Sequence, residues 1–436
     1  MTFRRFITVG LITAYIGVFN WVYIAYLYPT FGYLGFTLHA SRLIPILVES
    51  LLAIVPAFWF PITIQRPSQL VYWMLYMFIY IPSMYVPIYV NLQPLYEIMA
   101  VSVALFLGIA AIGINYMFPL LKIRWAPVSP AVFWSGFCVV GIGLLGYVIF
   151  IYWGHFRLVA FQDVYADGVR AGGSSIAEGT SVGYAIMLLG GCVYPILMAL
   201  GLSQRRHILF MLGSAGELLL YATAGQKGYI LCPIILIGTY LVLLSKRLLP
   251  FGQAFPLMMI FISIMIYIGY YVARDDATGF PAIVAAVFFM RVLGWPGLAT
   301  AMYGEFFDNH PYTYFSHVKG ISLFIHYPYD NDLGHVIAYA NTGNADLNAN
   351  AHFWITDGLA SYGVSGIIII SMLCGVAFWL MDSAASKHGV IFATLVCVFP
   401  GILISNTSLF TAILSGGGAC AVLILLMMPV ALDTTK

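Results

Sequence analysis

The sequence predicts an all-α protein that crosses a membrane about twelve times, and three observations support this fold class. Residues of the set AVILMFWYC make up 62% of the 436 positions, and Asp, Glu, Lys and Arg together make up only 8%. The mean hydropathy is +0.95. A soluble domain usually carries about 25% charged residues, which its water-facing surface requires. The composition therefore excludes a soluble enzyme, a disordered chain, a coiled coil and a nucleic-acid-binding protein.

Uninterrupted apolar runs locate the membrane helices. Only helices or closed barrels satisfy the backbone in hydrocarbon, and a spanning helix needs about 20 apolar residues. Twelve runs are expected to span the membrane, at roughly 6–28, 43–62, 70–90, 95–118, 131–153, 181–202, 207–223, 229–244, 254–273, 363–381, 389–405 and 409–430. We therefore expect residues 1–436 to form a single transmembrane domain of a polytopic integral membrane protein.

Basic residues in the loops predict the orientation. Lys and Arg are enriched in cytoplasmic loops, and eleven of the eighteen fall on one side if there are twelve spans and both termini are cytoplasmic. These are Arg4, Arg5, Arg66, Lys122, Arg124, Arg205, Arg206, Lys246, Arg247, Lys387 and Lys436. The other seven fall on the outer, periplasmic side and need a separate reason: Arg42, Arg157, Arg170, Lys227, Arg274, Arg291 and Lys319.

Two long periplasmic loops contain most of the remaining polar residues. The loop at 154–180 includes HFRLVAFQDVYADGVRAGG, whose apolar residues recur at helical spacing and predict a short amphipathic helix at the membrane interface. In this loop Arg157 and Arg170 either pair with neighbouring acids or face a lipid phosphate. The loop at 274–362 contains an apolar stretch, 281–303, that we expect to re-enter the membrane or to lie along it.

Two cations occupy unusual positions next to apolar runs. Lys227 lies in TAGQKGYIL, where Gly225 and Gly228 allow a tight turn, so its ammonium either snorkels to the headgroups or holds a phosphate. Arg291 lies within an apolar run, where a guanidinium costs about 3 kcal/mol unless a partner offsets it. That partner is either Glu305 in a structural salt bridge or a phosphate, whose oxygens a guanidinium binds in bidentate fashion.

No metal or cofactor is expected. The six cysteines lack metal-like spacing, and the acid-rich stretches 275–276 and 330–332 are of a kind common in loops. A proton-coupled transporter would need acids near the middle of the membrane. Glu49 and Glu217 are candidates for that role, and Glu97 lies near the end of a run, so such acids are sparse.

The end of the second periplasmic loop is dense in amides and aromatic side chains. Residues 326–366 read HYPYDNDLGHVIAYANTGNADLNANAHFWITDGLASYGVSG. This composition suits a groove that stacks against sugars and hydrogen-bonds to them. One of His326, His335 and His352 is a candidate general base, although any single histidine in such a loop is more often structural.

Several of these stretches resemble bacterial oligosaccharide repeat-unit polymerases, the O-antigen polymerase (Wzy-type) family. The resemblance covers most of the chain from about 60 to 380. It is carried by RPSQLVYWMLYMFIYIPSMYVP at 66–87, TAGQKGYIL at 223–231, RVLGWPGLATAMYGEFF at 291–307, HYPYDNDLGH at 326–335 and NANAHFWITDGLASYGVSG at 348–366. Many relatives have an arginine in the glycine turn where this chain has Lys227, which keeps the charge and loses the bidentate fork.

The resemblance implies a metal-independent glycosyltransferase with a GT-C-like fold in the bacterial inner (cytoplasmic) membrane, with its active site on the periplasmic side. Such an enzyme passes a growing undecaprenyl-pyrophosphate-linked oligosaccharide to the non-reducing-end hydroxyl of an incoming lipid-linked repeat unit. The implied partners are these lipid-linked oligosaccharides, membrane lipid and a chain-length regulator protein, and they include no nucleic acid.

The residues of the outer side suit this chemistry. The charge of a pyrophosphate leaving group calls for fixed cations, and the candidates are Arg291, Lys227, Arg170, Arg157 and Arg274. The acceptor hydroxyl needs a base, for which the candidates, in no fixed order, are His335, His352 and Asp332. Candidates for sugar contacts are Asn350, Trp354, Asp357 and Tyr362.

Three alternatives remain open at this point. An O-antigen ligase uses the same donor with a lipid A core acceptor. A polyprenyl-phosphate-sugar glycosyltransferase usually has an acidic motif in its first outer loop, whereas the loop at 29–41 contains no acid. A glycolipid transporter or flippase is the alternative that is not an enzyme.

Overall fold

The computed structural model describes residues 3–39, 43–123, 128–158, 176, 180–245, 249–274, 276, 279–318, 320–344 and 347–430, and within them it has helices and no strand. Among the described residues, ten helices are long and apolar enough to cross a membrane: α1 (Phe3–Leu34), α3 (Ser68–Val90), α4 (Leu95–Met117), α5 (Pro130–Ile151), α6 (Ser181–Ser203), α8 (Lys227–Leu244), α9 (Phe251–Val272), α10 (Phe280–Asn309), α12 (Trp354–Ala385) and α14 (Leu409–Met427). Three shorter apolar helices are α2 (Leu43–Phe58), α7 (His207–Thr223) and α13 (Val390–Ile404). A further short helix, α11 (Leu333–Thr342), lies between α10 and α12. The protein is therefore an all-α, multi-pass membrane protein, as the composition predicts.

Capping residues and backbone conformation set several helix ends. Ser129 and Thr180 precede α5 and α6, and the hydroxyl oxygen of each accepts a hydrogen bond of 3.4 Å from the backbone N–H three residues further on. These bonds satisfy N–H groups that have no partner within a helix. At its C-terminal end, α3 stops before Asn91, whose backbone is left-handed with φ 53°. A left-handed residue is common after the last turn of a helix.

The loops expected on the cytoplasmic side meet at one end of the bundle. The Arg66 guanidinium donates to the carbonyl of Phe118 at 3.0 Å, and the Gln253 amide donates to the carbonyl of Arg4 at 2.9 Å. The Arg5 guanidinium donates to the carbonyl groups at the end of α2 and just beyond it. We call this end the basic end, and its assignment to the cytoplasm stays a prediction.

Helix α10 contacts the other end of the bundle along both of its halves. Phe289, in its first half, packs against Tyr26 near the C-terminal end of α1, with ring centroids 5.3 Å apart. Asp308, at its end, accepts a hydrogen bond of 2.8 Å from Gln93 in the turn between α3 and α4. The C-terminal parts of α1 and α3 lie side by side, so both contacts belong to one end. These contacts accord with a stretch 281–303 that re-enters the membrane or lies along it, which stays a prediction.

Candidate functional site

Four of the predicted site residues, Asn350, His352, Trp354 and Asp357, lie at the end of the bundle opposite the basic end. We call this the polar end and define it by residues 89–97, 305–318, 347–357 and 405–409. Backbone hydrogen bonds tie these segments to the helices, as when Thr313 N–H donates to the carbonyl of Ala360 in α12 at 2.8 Å. The polar end is therefore assembled from segments far apart in the sequence.

Arg291 is half-buried in a π-helical stretch of α10 and has polar and aromatic neighbours. Its Nη2 donates to Oδ1 of Asn406 at 3.0 Å. Its guanidinium carbon lies 5.4 Å from the centroid of the Trp295 ring, which is within the range of a cation–π interaction. These contacts offset part of the cost of holding a guanidinium in an apolar helix, because they replace some of its lost hydration.

Trp295 connects the arginine to the segment that contains the predicted sugar-binding amide. Its indole N–H donates to the backbone carbonyl of Asn350 at 2.8 Å. The neighbouring Ala349 N–H donates to the carbonyl of Gly334 in α11 at 2.9 Å. The structure therefore brings Arg291, Asn350 and the start of α11 into one continuous set of contacts.

Two of the three candidate bases lie at that start of α11. His335 is half-buried, and its Nδ1 lies 3.3 Å from Nδ2 of Asn348. Asp332 is exposed and immediately precedes α11, where its carbonyl accepts the backbone N–H of His335 at 2.9 Å. Asp332 is therefore open to solvent and His335 is partly so.

The third candidate base, His352, is fully buried. Its Nε2 lies 3.1 Å from Oγ1 of Thr300, which in turn lies 2.9 Å from Oγ of Ser83. Its Nδ1 has no hydrogen-bond partner among the described residues. Burial lowers the pKa of His352 to about 3, so the ring is neutral near pH 7. This environment suits a side chain that joins α3, α10 and the start of α12.

A hydrogen-bonded pair of side chains that the sequence analysis did not identify, His317 and Asp357, lies beside these residues. Nε2 of His317 is 2.9 Å from Oδ1 of Asp357, which is fully buried in the π-helical start of α12. The second carboxylate oxygen accepts the backbone N–H of Leu409 at 2.6 Å. Nδ1 of the histidine lies 3.2 Å from Oγ1 of Thr313, so both ring nitrogens have partners. The pair therefore positions the loop that contains His317, and in this arrangement it has no ring nitrogen left to take a proton from a substrate.

Residues 406–409 connect the His317–Asp357 pair to Arg291. Asn406 accepts a hydrogen bond from Arg291, and Leu409 donates one to Asp357. The segment reads NTSL between two apolar helices, which the sequence analysis treated as a simple connection between spans. Its polar letters are the only sequence signal for this role, and short polar turns of this kind are common.

The predicted sugar-binding residues differ in exposure. Trp354 is fully buried and donates from its indole N–H to Oγ of Ser371 at 2.8 Å. Tyr362 is 40% exposed beside a break in α12, where Gly363 has φ +59°. A β-carbon there would adopt a strained conformation and meet the Tyr312 hydroxyl at 2.7 Å, so glycine is required. Tyr362 and Asn350 are thus the exposed members of the predicted set.

The remaining predicted cations lie at two other places. The backbone N–H of Arg157 donates to the backbone carbonyl of Ala222 at 2.9 Å, so this exposed residue lies beside the turn that leads to Lys227. In that turn Gly225 has φ +62°, and the half-buried Lys227 begins α8. Arg274 is exposed and stacks on Tyr271, with 5.1 Å from its guanidinium carbon to the ring centroid. Arg170 and the predicted amphipathic helix lie outside the described residues.

Two carboxyl groups form a further polar cluster that the sequence analysis did not assign to the site. Gln93 Nε2 lies 2.8 Å from a carboxylate oxygen of Asp308 and 3.4 Å from one of Glu97. The Gln93 amide therefore lies between the two carboxyl groups. They line a cavity of about 150 Å³ together with Tyr96 and Tyr312. No group of three or more metal-binding side chains occurs in the described part of the chain.

The helices and the polar end define the class of the protein as a multi-pass membrane protein with a polar, aromatic-rich cluster at one end of its helical bundle. The sequence matches no protein-family model, and it matches no curated protein and no solved structure.

Proposed function

We propose that the protein is a glycan polymerase of the bacterial inner membrane that acts at the periplasmic face. It transfers a growing oligosaccharide from undecaprenyl pyrophosphate to the non-reducing-end hydroxyl of an incoming lipid-linked repeat unit. One observation carries the proposal: Arg291, stacked on Trp295 and bonded to Asn406, is linked through the Trp295 indole to the segment that contains Asn350 and to His335 at the start of α11. The residues that we propose for phosphate binding, sugar binding and proton acceptance thus belong to one cluster. The resemblance to repeat-unit polymerases supports the same chemistry.

The donor side of the reaction depends on the arginine. The bond between the anomeric carbon and the pyrophosphate oxygen breaks, and its electron pair leaves with that oxygen. A guanidinium held by a ring and an amide is already oriented toward the charge that develops, so it stabilises the transition state without reorganisation. Because the leaving group stays attached to its lipid, the cation belongs beside apolar residues, as Arg291 within α10 does.

The acceptor side depends on a proton acceptor beside the sugar-binding residues. The acceptor hydroxyl oxygen attacks the anomeric carbon, and its proton passes to the base as the new glycosidic bond forms. We assign this role to His335, which is accessible and adjacent to Asn348 and Asn350. Asn350 and Tyr362 then contact the sugars. The buried side chains hold the surrounding segments in place; these are His352, Trp354 and Asp357.

The second cluster of cations has a role in the same reaction. Donor and acceptor both carry a pyrophosphate, so two cationic sites are needed. Arg291 serves the leaving group, and we assign Lys227 and Arg157, which lie at a different turn, to the headgroup of the incoming unit. Arg274, exposed on Tyr271, and Arg170 add positive charge that attracts lipid headgroups.

The test is reconstitution of the reaction. Purified protein in detergent receives one defined undecaprenyl-pyrophosphate-linked repeat unit, without nucleotide sugar and with a metal chelator. A ladder of products that differ by one repeat unit is expected. Transfer of a single unit to added lipid A core, without a ladder, would instead identify a ligase. Absence of any new glycosidic bond, with movement of the lipid-linked unit across vesicles, would identify a flippase and end the proposal.

A further inference from the structure

The side chain of Asn348 contacts both His335 and the glycine that begins α11. Its Nδ2 lies 3.3 Å from Nδ1 of His335. Its Oδ1 is buried and has no hydrogen-bond donor among the described residues. A buried amide oxygen without a donor costs about 1–3 kcal/mol, so the arrangement calls for a physical reason.

Gly334 brings a second amide to the same point. A β-carbon on Gly334 would clash with Oδ1 of Asn348, and Oδ1 of Asn350 lies 3.1 Å from that same position. Two amide oxygens therefore approach the face of one glycine, and that of Asn348 has no donor among the described residues. A rotation of the Asn348 amide by 180° about its last side-chain bond exchanges its oxygen and nitrogen, and the two ends have nearly the same shape.

The rotated amide places its NH₂ on the side where both amide oxygens approach Gly334, and its oxygen faces Nδ1 of His335. An oxygen there accepts a hydrogen bond only if Nδ1 carries the proton, so the lone pair of the neutral ring is on Nε2. Acceptor groups of this kind fix the tautomer of functional histidines in other proteins.

We infer that Asn348 is a positioning residue that holds His335 in the tautomer whose Nε2 accepts the proton of the sugar hydroxyl. This inference rests on the proposed function, because it takes His335 as the base. The link continues to the donor side, since the backbone carbonyl of Asn350 binds Trp295, on which Arg291 stacks. Asn348 therefore couples the base to the segment that orients the leaving group.

The test measures the protonation of His335 directly. Diethyl pyrocarbonate modifies neutral imidazole, and peptide mass spectrometry reports the modified fraction at His335 as a function of pH in the full-length protein. The Asn348→Asp variant keeps an oxygen acceptor at Nδ1 and adds a negative charge, which favours the protonated ring. We expect its modification midpoint to move to higher pH by about one unit, and the pH–rate profile of elongation to move with it.

Two further variants separate positioning from general damage. Asn348→Ser shortens the side chain so that it no longer reaches Nδ1, and we expect kcat of elongation to fall about tenfold or more with little change in KM. Asn341→Asp is the matched control, because the Asn341 amide donates to the carbonyl of Ile337 on the same helix and not to a histidine. Other titratable groups near His335 are Asp332 at the start of α11 and Tyr303, Glu305 and Asp308 on α10, which packs against α11. They are the same in all variants.

The outcomes are distinguishable. An unchanged midpoint in Asn348→Asp, or an equal shift in Asn341→Asp, overturns the inference. If Asn348→Asp does not fold, full kcat in Asn348→Ser overturns it. If the unmodified protein makes no product ladder while the midpoint still shifts, the polymerase proposal fails and the Asn348–His335 pair stands.

Discussion

Nε2 of His317 lies 2.9 Å from Oδ1 of Asp357, and these two residues stand forty positions apart in the sequence. The pair links the loop that follows α10 to the start of α12. The other oxygen of the same carboxylate binds the backbone N–H of Leu409, so one buried side chain fixes three segments of the polar end. Breaking this contact is therefore expected to loosen the whole candidate site.

The first prediction concerns that carboxylate. Asp357→Asn removes the negative charge and weakens the hydrogen bonds that this buried carboxylate makes to His317 and Leu409. A hydrogen bond to a charged group contributes about 1.5–3 kcal/mol, and a loss of that order is expected. We expect a clear fall in the melting temperature in detergent, measured by intrinsic fluorescence, together with loss of elongation. The control is Asp330→Asn at an exposed position; equal losses in both variants would contradict the role of the pair.

The second prediction concerns Arg291. Arg291→Ala is expected to lower kcat of elongation by about 100-fold or more, because removing one preorganised donor to a developing negative charge typically has that effect. Membrane insertion and melting temperature should change little. Arg291→Lys keeps the charge but loses the planar fork, so an intermediate rate is expected. Arg206→Gln, which changes an exposed arginine outside the site, serves as the control. Near-normal chain length in Arg291→Ala would remove this residue from the reaction.

Much of the fold follows from composition and run length. Each of the twelve predicted spans overlaps an apolar helix, because an apolar run of about 20 residues has few alternatives in a membrane. The location of the stretch 281–303 is harder to predict, since periodicity alone does not distinguish a spanning helix from one that lies at an end of the bundle. Its position depends on contacts such as Phe289 with Tyr26, which no local pattern reveals.

The site was only partly predictable for the same reason. Arg291 stands out in the sequence because a cation in an apolar run needs a partner, and the structure gives it Asn406 and Trp295. The contact with Asn406 could not be predicted, because Asn406 lies 115 positions from Arg291 in a short polar turn of a common kind. Trp354 was a candidate by residue type, yet it is buried against Ser371, since composition does not indicate which face of a helix a side chain occupies.

The third prediction concerns the pH dependence of stability through His352. Burial lowers the pKa of this residue to about 3, whereas an unfolded histidine has a value near 6.5. Between these two values the unfolded state binds more protons than the folded state, so stability falls as the pH decreases from about 6.5 toward 3. The slope is about 1.4 kcal/mol per pH unit for one such group.

We therefore expect His352→Gln to flatten the loss of melting temperature between pH 6.5 and pH 4, even if the variant is less stable at pH 7. The comparison uses His326→Gln as the control, because that histidine is exposed. If the melting temperatures of both variants fall with decreasing pH as that of the unmodified protein does, His352 is not the source of the pH dependence.

The fourth prediction concerns Lys227 and the assignment of a second cationic site. Lys227→Ala removes the positive charge at the start of α8, whereas Lys227→Arg keeps it and adds a bidentate fork. If this position holds the headgroup of the incoming unit, Lys227→Ala should raise KM for the acceptor about tenfold, which corresponds to about 1.4 kcal/mol, with a smaller effect on kcat. Lys227→Arg should keep a KM near that of the unmodified protein.

The measurement uses a shortened donor at saturating concentration and varies only the concentration of the acceptor. The KM for the acceptor is then measured separately from binding of the donor. Lys122→Ala at the basic end is the charge-matched control. Equal activity of Lys227→Ala and Lys227→Arg would mean that charge is not needed at this turn. A change in kcat without a change in acceptor KM would instead assign Lys227 to the leaving group, together with Arg291. In either case the ion gradient across the membrane should have no effect on the rate, since the lipid-linked donor is already activated.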